Sequence, residues 1–165
     1  MELKNSIQAM QVFGANVVKE GKSILKKKKK LTKSNTLYND FDYLVTSNKD
    51  SVSLTFEFGG AEDYWDFVDE GVKGSGGFKG SGKMRGQGSP FSFKGNNIKE
   101  GVVRGWIENK PLKLRNAKGK FIEKNERNIK SAAFLIGRAI AQRGLTRTQF
   151  FRQTIRNYNR RIIWL

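Results

Sequence analysis

The segment GFKGSGKM, residues 77–84, is the part of this sequence that comes nearest to a catalytic or ligand-binding signature. The loop that binds nucleotide phosphates reads G-x-x-x-x-G-K-[ST], and Met84 occupies the position whose hydroxyl binds magnesium. Such a loop joins a buried strand to a helix. Here VKGSG precedes the segment, and MRGQGSPF, whose glycines and Pro90 oppose a helix, follows it. We therefore expect no nucleotide site.

The same segment belongs to a longer glycine-rich stretch. From Gly71 to Gly88, eight of the 18 residues are glycine, with Lys79, Lys83 and Arg85 among the rest. This composition favours a long, flexible basic loop that becomes ordered against a neighbouring molecule or DNA, or stays without order.

The composition removes most other catalytic chemistry. The chain has no Cys and no His, which excludes thiolate nucleophiles, disulfides, Cys/His zinc sites and the usual general base. Asp66, Asp69 and Glu70 have no partner ligands at a defined spacing, so they indicate a solvated acidic face or a subunit contact rather than a metal site. We expect no enzymatic activity, no cofactor and no metal.

Charge is the strongest global signal. Lys and Arg number 32 against 15 Asp and Glu, and this net charge of +17 indicates a polyanionic partner, usually nucleic acid. Six of the 15 acids lie within residues 57–70, whereas nine basic residues and no acid follow from Arg127 onward. A chain with this polarity can attract a copy of itself, acidic face to basic face, as well as DNA.

The residues with a candidate role fall into two sets. The candidate subunit interface comprises Glu62, Asp63, Asp66, Asp69, Glu70, Phe78, Arg152, Arg156, Arg160, Arg161 and Trp164. The candidate basic surface, facing DNA or a protein partner, comprises Lys26, Lys27, Lys28, Lys29, Lys30, Lys79, Lys83 and Arg85. The five adjacent lysines have the alternative interpretation of a solvated helix end.

Hydrophobic periodicity predicts the elements of the N-terminal half of the chain, which position the candidate residues found there. A helical stripe covers about 2–25, weakened at Gly14 and Gly21, where a kink or an early end would be tolerated. Alternation in SVSLTFEF predicts an antiparallel hairpin of strands 41–47 and 51–58. A short acidic helix is expected over 61–70, with Tyr64, Phe67 and Val68 on one face.

The second half reads as three helices, over 98–110, about 123–143 and 147–158. Gly144 is expected to end the second, and Thr146 to cap the third. The order predicts an α+β fold: a small antiparallel β-sheet packed with an N-terminal helix and three C-terminal helices. We expect one domain over 1–165, with a glycine-rich loop at 71–96 and a C-terminal tail at 159–165. No membrane span or secretory signal is visible.

Three segments resemble those of a known family. DYWDFVDEGVKG resembles the aromatic-x-x-[YF]-V-[DE]-x-G signature of small tailed-phage neck and tail-completion proteins, and SPFSFKG resembles the loop that follows it. IGRAIAQRGLTRTQFF resembles their closing pattern of a helix rich in small residues, R-G-[LI], a cap and paired aromatics. The resemblance covers roughly 37–158 and is strongest to the head–tail joining proteins of crAss-like phages.

The resemblance implies a structural virion protein. It would form a homo-oligomeric ring in the head-to-tail connector around the DNA channel, between portal-side and tail-side neck proteins and in transient, non-specific proximity to genomic DNA. It would be assembled in the host bacterial cytoplasm, with no membrane contact and no catalytic residues to carry over. A stand-alone basic nucleic-acid-binding protein is the alternative.

Overall fold

The computed structural model describes residues 2–28, 36–80, 82–109 and 113–162. Its elements are α1 (Glu2–Lys27), α2 (Thr36–Asp40), β1 (Asp42–Ser47), β2 (Val52–Glu57), a 3-10 turn (Gly59–Ala61), α3 (Trp65–Glu70), β3 (Val72–Lys73), α4 (Glu100–Asn109), β4 (Leu114–Arg115), β5 (Phe121–Ile122), α5 (Glu126–Arg143), β6 (Gly144–Leu145) and α6 (Arg152–Ile162). The predicted α+β class is confirmed.

Contacts divide the chain into two compact units. The first unit comprises residues 1–70 and 148–165, and the second comprises residues 71–147. The prediction of a single domain over 1–165 stays a prediction.

The first unit is built on the predicted hairpin. Strands β1 and β2 pair antiparallel from Asp42 opposite Glu57 to Ser47 opposite Val52. Along β2, half-buried residues alternate with exposed ones, as expected for a strand with one face on the core. The hairpin prediction is confirmed.

Aromatic side chains dominate the core of the first unit. Phe41 and Phe150 are fully buried, and the Phe58 ring stacks between Phe41 at 5.1 Å and Trp65 at 4.2 Å. Helix α1 covers this cluster and continues through Gly21, where the helix backbone lies against the Phe41 ring. A Cβ at Gly21 would lie 2.7 Å from that ring, so this glycine permits close packing rather than ending the helix.

The acidic helix is shorter than predicted. A 3-10 turn precedes it and α3 begins at Trp65, so Trp65 and Val68, three residues apart, face the core. Tyr64 and Phe67, which were predicted to share a face with Val68, are 38% and 41% exposed.

The core of the second unit lies between α4 and α5. Val103 and Ile107 of α4 pack with Ile129 and Ala133 of α5 and with Leu114 of β4. Helix α5 starts where the Asn125 side chain accepts the Asn128 N–H at 2.9 Å, and Gly144 ends it as predicted. Two other apolar residues of α4 face outward, since Val102 is 67% exposed and Trp106 is 40% exposed.

The glycine-rich segment is ordered by its own unit, which corrects the expectation of a loop that orders only against a neighbour or DNA. Strand β3 pairs with β6, and the N–H groups of Ser75, Gly76 and Arg85 donate to the carbonyls of Ala141, Gln142 and Arg143. At Gly74, a Cβ would lie 2.2 Å from the Gln142 carbonyl oxygen. Glycine is therefore needed there for close approach of two backbones.

Candidate functional site

The acidic cluster consists of Asp66, Asp69 and Glu70, and Asp69 is its buried member. Its side chain is completely buried, and its carboxylate accepts the N–H of Phe151 at 2.9 Å and that of Arg152 at 3.4 Å. These donors lie at the start of α6, so Asp69 caps that helix from a distant part of the chain. The prediction that Asp69 belongs to an exposed interface is therefore wrong.

Burial raises the pKa of Asp69 above its ordinary value, and the two backbone N–H groups partly oppose that shift. Its own carbonyl accepts the N–H groups of Thr148 at 3.1 Å and Gln149 at 2.9 Å, which fixes the chain that enters α6.

The predicted start of the last helix and its predicted cap are both corrected by this arrangement. Helix α6 begins at Arg152 rather than at 147 and continues to Ile162, which places part of the expected tail in the helix. Thr146 is exposed ahead of it and does not cap it, because Asp69 supplies the acceptor for the first N–H groups.

Arg152 neutralises the acidic cluster from within the same unit. Its guanidinium lies 3.2 Å from the Asp66 carboxylate, 3.8 Å from that of Asp69 and 2.8 Å from that of Glu70. An acidic group and a basic group that were both assigned to subunit contacts therefore meet inside one molecule. The charge available for an intermolecular pair at this point is correspondingly smaller.

The other predicted interface residues are scattered. Glu62, Asp63, Arg156 and Arg160 are exposed. Phe78 is half-buried, and the Arg143 guanidinium lies 5.3 Å from its ring centre. The Arg161 side chain and Trp164 lie outside the part of the chain that the structure describes.

The predicted basic surface is also divided. Lys26 and Lys27 are exposed at the end of α1, and the Lys28 ammonium donates to the Thr148 carbonyl at 2.9 Å. Lys29 and Lys30 lie outside the described residues.

Within the glycine-rich segment, Lys79, Lys83 and Arg85 are exposed. The Lys83 carbonyl accepts the Arg143 Nε–H at 3.0 Å. No helix begins between residues 82 and 99, all of which are described, so the segment lacks the helix N-terminus that a phosphate-binding loop uses.

The sequence analysis missed how charge divides between the two units. Residues 71–147 contain 18 Lys and Arg against four Asp and Glu, a balance of +14, whereas the other unit contains 14 against 11. Two of those four acids, Glu108 and Glu126, lie 2.9 and 3.5 Å from Arg104. Since 71–147 is continuous, this signal is present in the sequence once the boundaries are known.

A second missed feature is the basic hairpin, which we define as residues 113–122 and which contains β4 and β5. Its cationic side chains, all exposed, belong to Lys113, Arg115, Lys118 and Lys120. The Phe121 ring is 59% exposed, with the Arg115 guanidinium 4.2 Å and the Lys113 ammonium 5.4 Å from its centre.

Two open clefts are formed by described residues. One of about 650 Å³ lies between the basic hairpin and α5, lined in part by Leu114, Ile122, Leu135 and Ile136. The other, of about 530 Å³, runs along α1.

The described ranges, 2–28, 36–80, 82–109 and 113–162, also bear on metal binding and on membrane insertion. No group of three or more acidic side chains there is arranged to hold a metal ion. None of the helices in those ranges is both long enough and apolar enough to cross a membrane.

Comparisons with protein-family models, with curated proteins and with solved structures find no match to this chain. Function is therefore inferred from the residues and contacts described above.

Proposed function

We propose that this chain is a structural protein of a tailed-phage neck, one subunit of a homo-oligomeric ring around the DNA channel. The observation that carries the proposal is that the segments resembling neck proteins are hydrogen-bonded to one another within each unit. In the first unit, Asp69 of DYWDFVDEG caps the helix that follows TRTQFF, across 82 residues of sequence. These two segments, far apart in sequence, therefore meet within one unit.

The second unit repeats this relationship. Strand β3, from VKG, pairs with β6, from RGL, and Lys73 exchanges hydrogen bonds with Phe91 and Phe93 of SPFSF. All three resembling segments thus share backbone hydrogen bonds in the second unit. This supports a common framework behind the resemblance.

Exposed apolar side chains supply surfaces that a ring would cover. Val102 and Trp106 lie one turn apart on α4, and Phe134 and Leu135 of α5 are 48% and 60% exposed. Apolar surface of this kind is typical of contacts with other proteins. Because Arg152 already engages Asp66, Asp69 and Glu70, we assign the main subunit contacts to these apolar residues, with Glu62 and Asp63 as the exposed acids that remain from the predicted interface.

The test uses virions of the phage that encodes the chain. Mass spectrometry of purified particles should detect the polypeptide, and electron cryomicroscopy should show it between portal and tail. Absence from the particles would overturn the proposal.

A matched pair of variants addresses the apolar contacts. Phe134→Gln/Leu135→Gln should yield heads without tails, while Lys130→Gln/Arg138→Gln, exposed on the same helix, should yield normal particles. Both proteins should melt like the wild type, because all four side chains are exposed. Normal assembly of the first variant would remove α5 from the interface.

The alternative, a stand-alone nucleic-acid-binding protein, is favoured by one observation, the +14 balance of residues 71–147. The two proposals predict different results, because a stand-alone nucleic-acid-binding protein would bind DNA and be missing from virions.

A further inference from the structure

We propose that the basic hairpin, residues 113–122, binds the phosphate backbone of double-stranded DNA without sequence preference. The inference stands apart from the neck assignment, because it depends on the geometry and charge of the hairpin alone. In a neck subunit the ligand would be the phage genome, and in a free protein it would be any duplex.

The hairpin is held in a defined shape. The Asn116 carboxamide oxygen accepts the N–H groups of Lys118 and Lys120, both at 3.0 Å. The backbone N–H of Asn116 donates a hydrogen bond of 2.9 Å to the Lys120 carbonyl. Gly119 turns the chain with a φ of +77°, a conformation that favours glycine. The tip therefore presents Lys118 and Lys120 on an ordered turn.

Strand pairing anchors one face of the hairpin and leaves the other outward. Leu114 lies opposite Ile122, and both pack in the core of the second unit. Arg115 lies opposite Phe121, and both are exposed, because successive residues of a strand point to opposite faces. The pairing thus places a cation and an aromatic ring together on the solvent side.

The Arg115 guanidinium is already positioned before any ligand arrives. It lies over the Phe121 ring and donates one hydrogen bond, of 3.2 Å, to the Gly119 carbonyl. Guanidinium has five N–H donors, so several stay available to phosphate oxygens. A side chain held in its bound position loses less conformational entropy on binding.

Charge and composition favour nucleic acid over an acidic protein. The hairpin has four cations and no acid. A protein interface needs an apolar centre. Here the Lys113 ammonium and the Arg115 guanidinium lie over the Phe121 ring, and Ala117 is the largest apolar residue of the tip. Phosphates need only accessible cations, and a two-stranded ribbon is narrow enough for the major groove.

The test measures binding of the purified full chain to a fluorescent DNA duplex by anisotropy across a series of salt concentrations. Arg115→Gln/Lys118→Gln/Lys120→Gln is compared with Lys99→Gln/Lys130→Gln/Arg138→Gln, which removes the same charge from exposed positions in the same unit. The hairpin variant should bind about tenfold or more weakly, and the slope of log affinity against log salt should fall by roughly 2–3. The control should change by less than about threefold.

A further variant separates the effect of geometry from that of charge. Phe121→Leu keeps every cation but removes the ring under Arg115, and it should weaken binding several-fold. If the triple variant does not fold, Lys118→Gln/Lys120→Gln against Lys130→Gln/Arg138→Gln makes the same comparison without touching Arg115. Circular dichroism and melting curves establish folding in each case.

Three results would overturn the proposal: no binding of the wild type to DNA, equal losses in both triple variants, or displacement of DNA by polyglutamate as effectively as by a second duplex. The last result would identify an acidic protein as the partner. An effect confined to the hairpin variants would support the proposal whether or not the chain is found in virions.

Discussion

At the scale of single residues, Asp69 has a role that its sequence neighbours conceal. It stands among five other acids between residues 57 and 70, yet it is buried and accepts two backbone N–H groups at the start of α6. A buried polar group that has its hydrogen-bond partners contributes to stability, and removal of the acceptor leaves the donors unsatisfied. Asp69 is therefore a structural residue.

We predict that Asp69→Ala lowers the free energy of unfolding by about 2–3 kcal/mol, because it removes the acceptor for Phe151 and Arg152. Asp69→Asn retains one oxygen for Phe151 and should cost about 1 kcal/mol. Urea unfolding followed by circular dichroism measures both changes. Equal losses of unfolding free energy in the two variants would show that the side-chain oxygen at position 69 does not contribute to stability.

The difference in stability between the wild type and Asp69→Asn should depend on pH, in a direction that follows from the pKa of Asp69. Because burial raises the pKa of Asp69, the unfolded chain releases this proton at a lower pH than the folded chain does. The stability of the wild type relative to Asp69→Asn should therefore decrease as pH rises from the ordinary aspartate pKa to the raised folded pKa, and be constant above it. An increase over that interval would mean that the ionised form is the better stabilised.

Trp65 and Phe67 form a second matched comparison. Trp65 stacks on Phe58 at 4.2 Å and packs on the core, so Trp65→Ala should cost about 3 kcal/mol or more. Phe67 is 41% exposed two residues later, so Phe67→Ala should cost less than about 1 kcal/mol. Thermal melts of both variants measure the difference, and similar melting temperatures would contradict the assigned orientation of α3.

At the scale of elements, backbone packing explains three of the eight glycines of 71–88, namely Gly71, Gly74 and Gly86. Within the second unit this stretch hydrogen-bonds to residues 141–145, and a side chain at Gly74 would strike the Gln142 carbonyl. Within GFKGSGKM itself, a Cβ at Gly77 would meet no atom within 4 Å, and those at Gly80 and Gly82 would meet the Phe78 and Arg143 side chains, so close backbone approach does not account for its resemblance to a phosphate-binding loop.

We predict that Gly74→Ala destabilises the second unit by roughly 1–3 kcal/mol or more, because the new Cβ meets backbone rather than a movable side chain. Gly95→Ala is the control, since no atom lies within 4 Å of its Cβ position. Hydrogen exchange of the amides in β3 and β6 should be faster in the first variant and unchanged in the second. Unchanged exchange in Gly74→Ala would mean that the two segments are not held as described.

Elements were predictable from sequence in proportion to their length. Helix α1, the β1–β2 hairpin and α5 follow from periodicity, because many residues share one pattern in each. The pairs β3–β6 and β4–β5 have two residues per strand, which is too short for a pattern to repeat. The start of α6 was misplaced because its cap comes from Asp69, far away in the sequence.

At the scale of the whole molecule, charge is distributed by unit more than by position along the chain. Residues 71–147 carry a balance of +14, while the acids of the other unit are partly neutralised by Arg152. The acidic–basic attraction expected between copies is therefore reduced at Asp66, Asp69 and Glu70. Among residues 57–70, the exposed acids that Arg152 does not engage are Glu57, Glu62 and Asp63.

We predict that Glu62→Lys/Asp63→Lys impairs assembly into virions while leaving the melting temperature within a few degrees of wild type, because both side chains are exposed. Asp66→Lys/Asp69→Lys, by contrast, should fail to fold, since it buries a lysine beside Arg152. Melting curves and particle counts separate the two effects. Normal particles from the first variant would exclude an acidic subunit contact at these two residues.

The sequence by itself determined the α+β class, the long helices, the hairpin and the large positive charge, because periodicity and composition are local sums over neighbouring residues. Only the tertiary structure decided which charges are available to a partner and why the glycines are there. Both depend on groups far apart in sequence, such as Asp69 with Phe151 and Gly74 with Gln142, and no local pattern records which distant backbone a residue will meet.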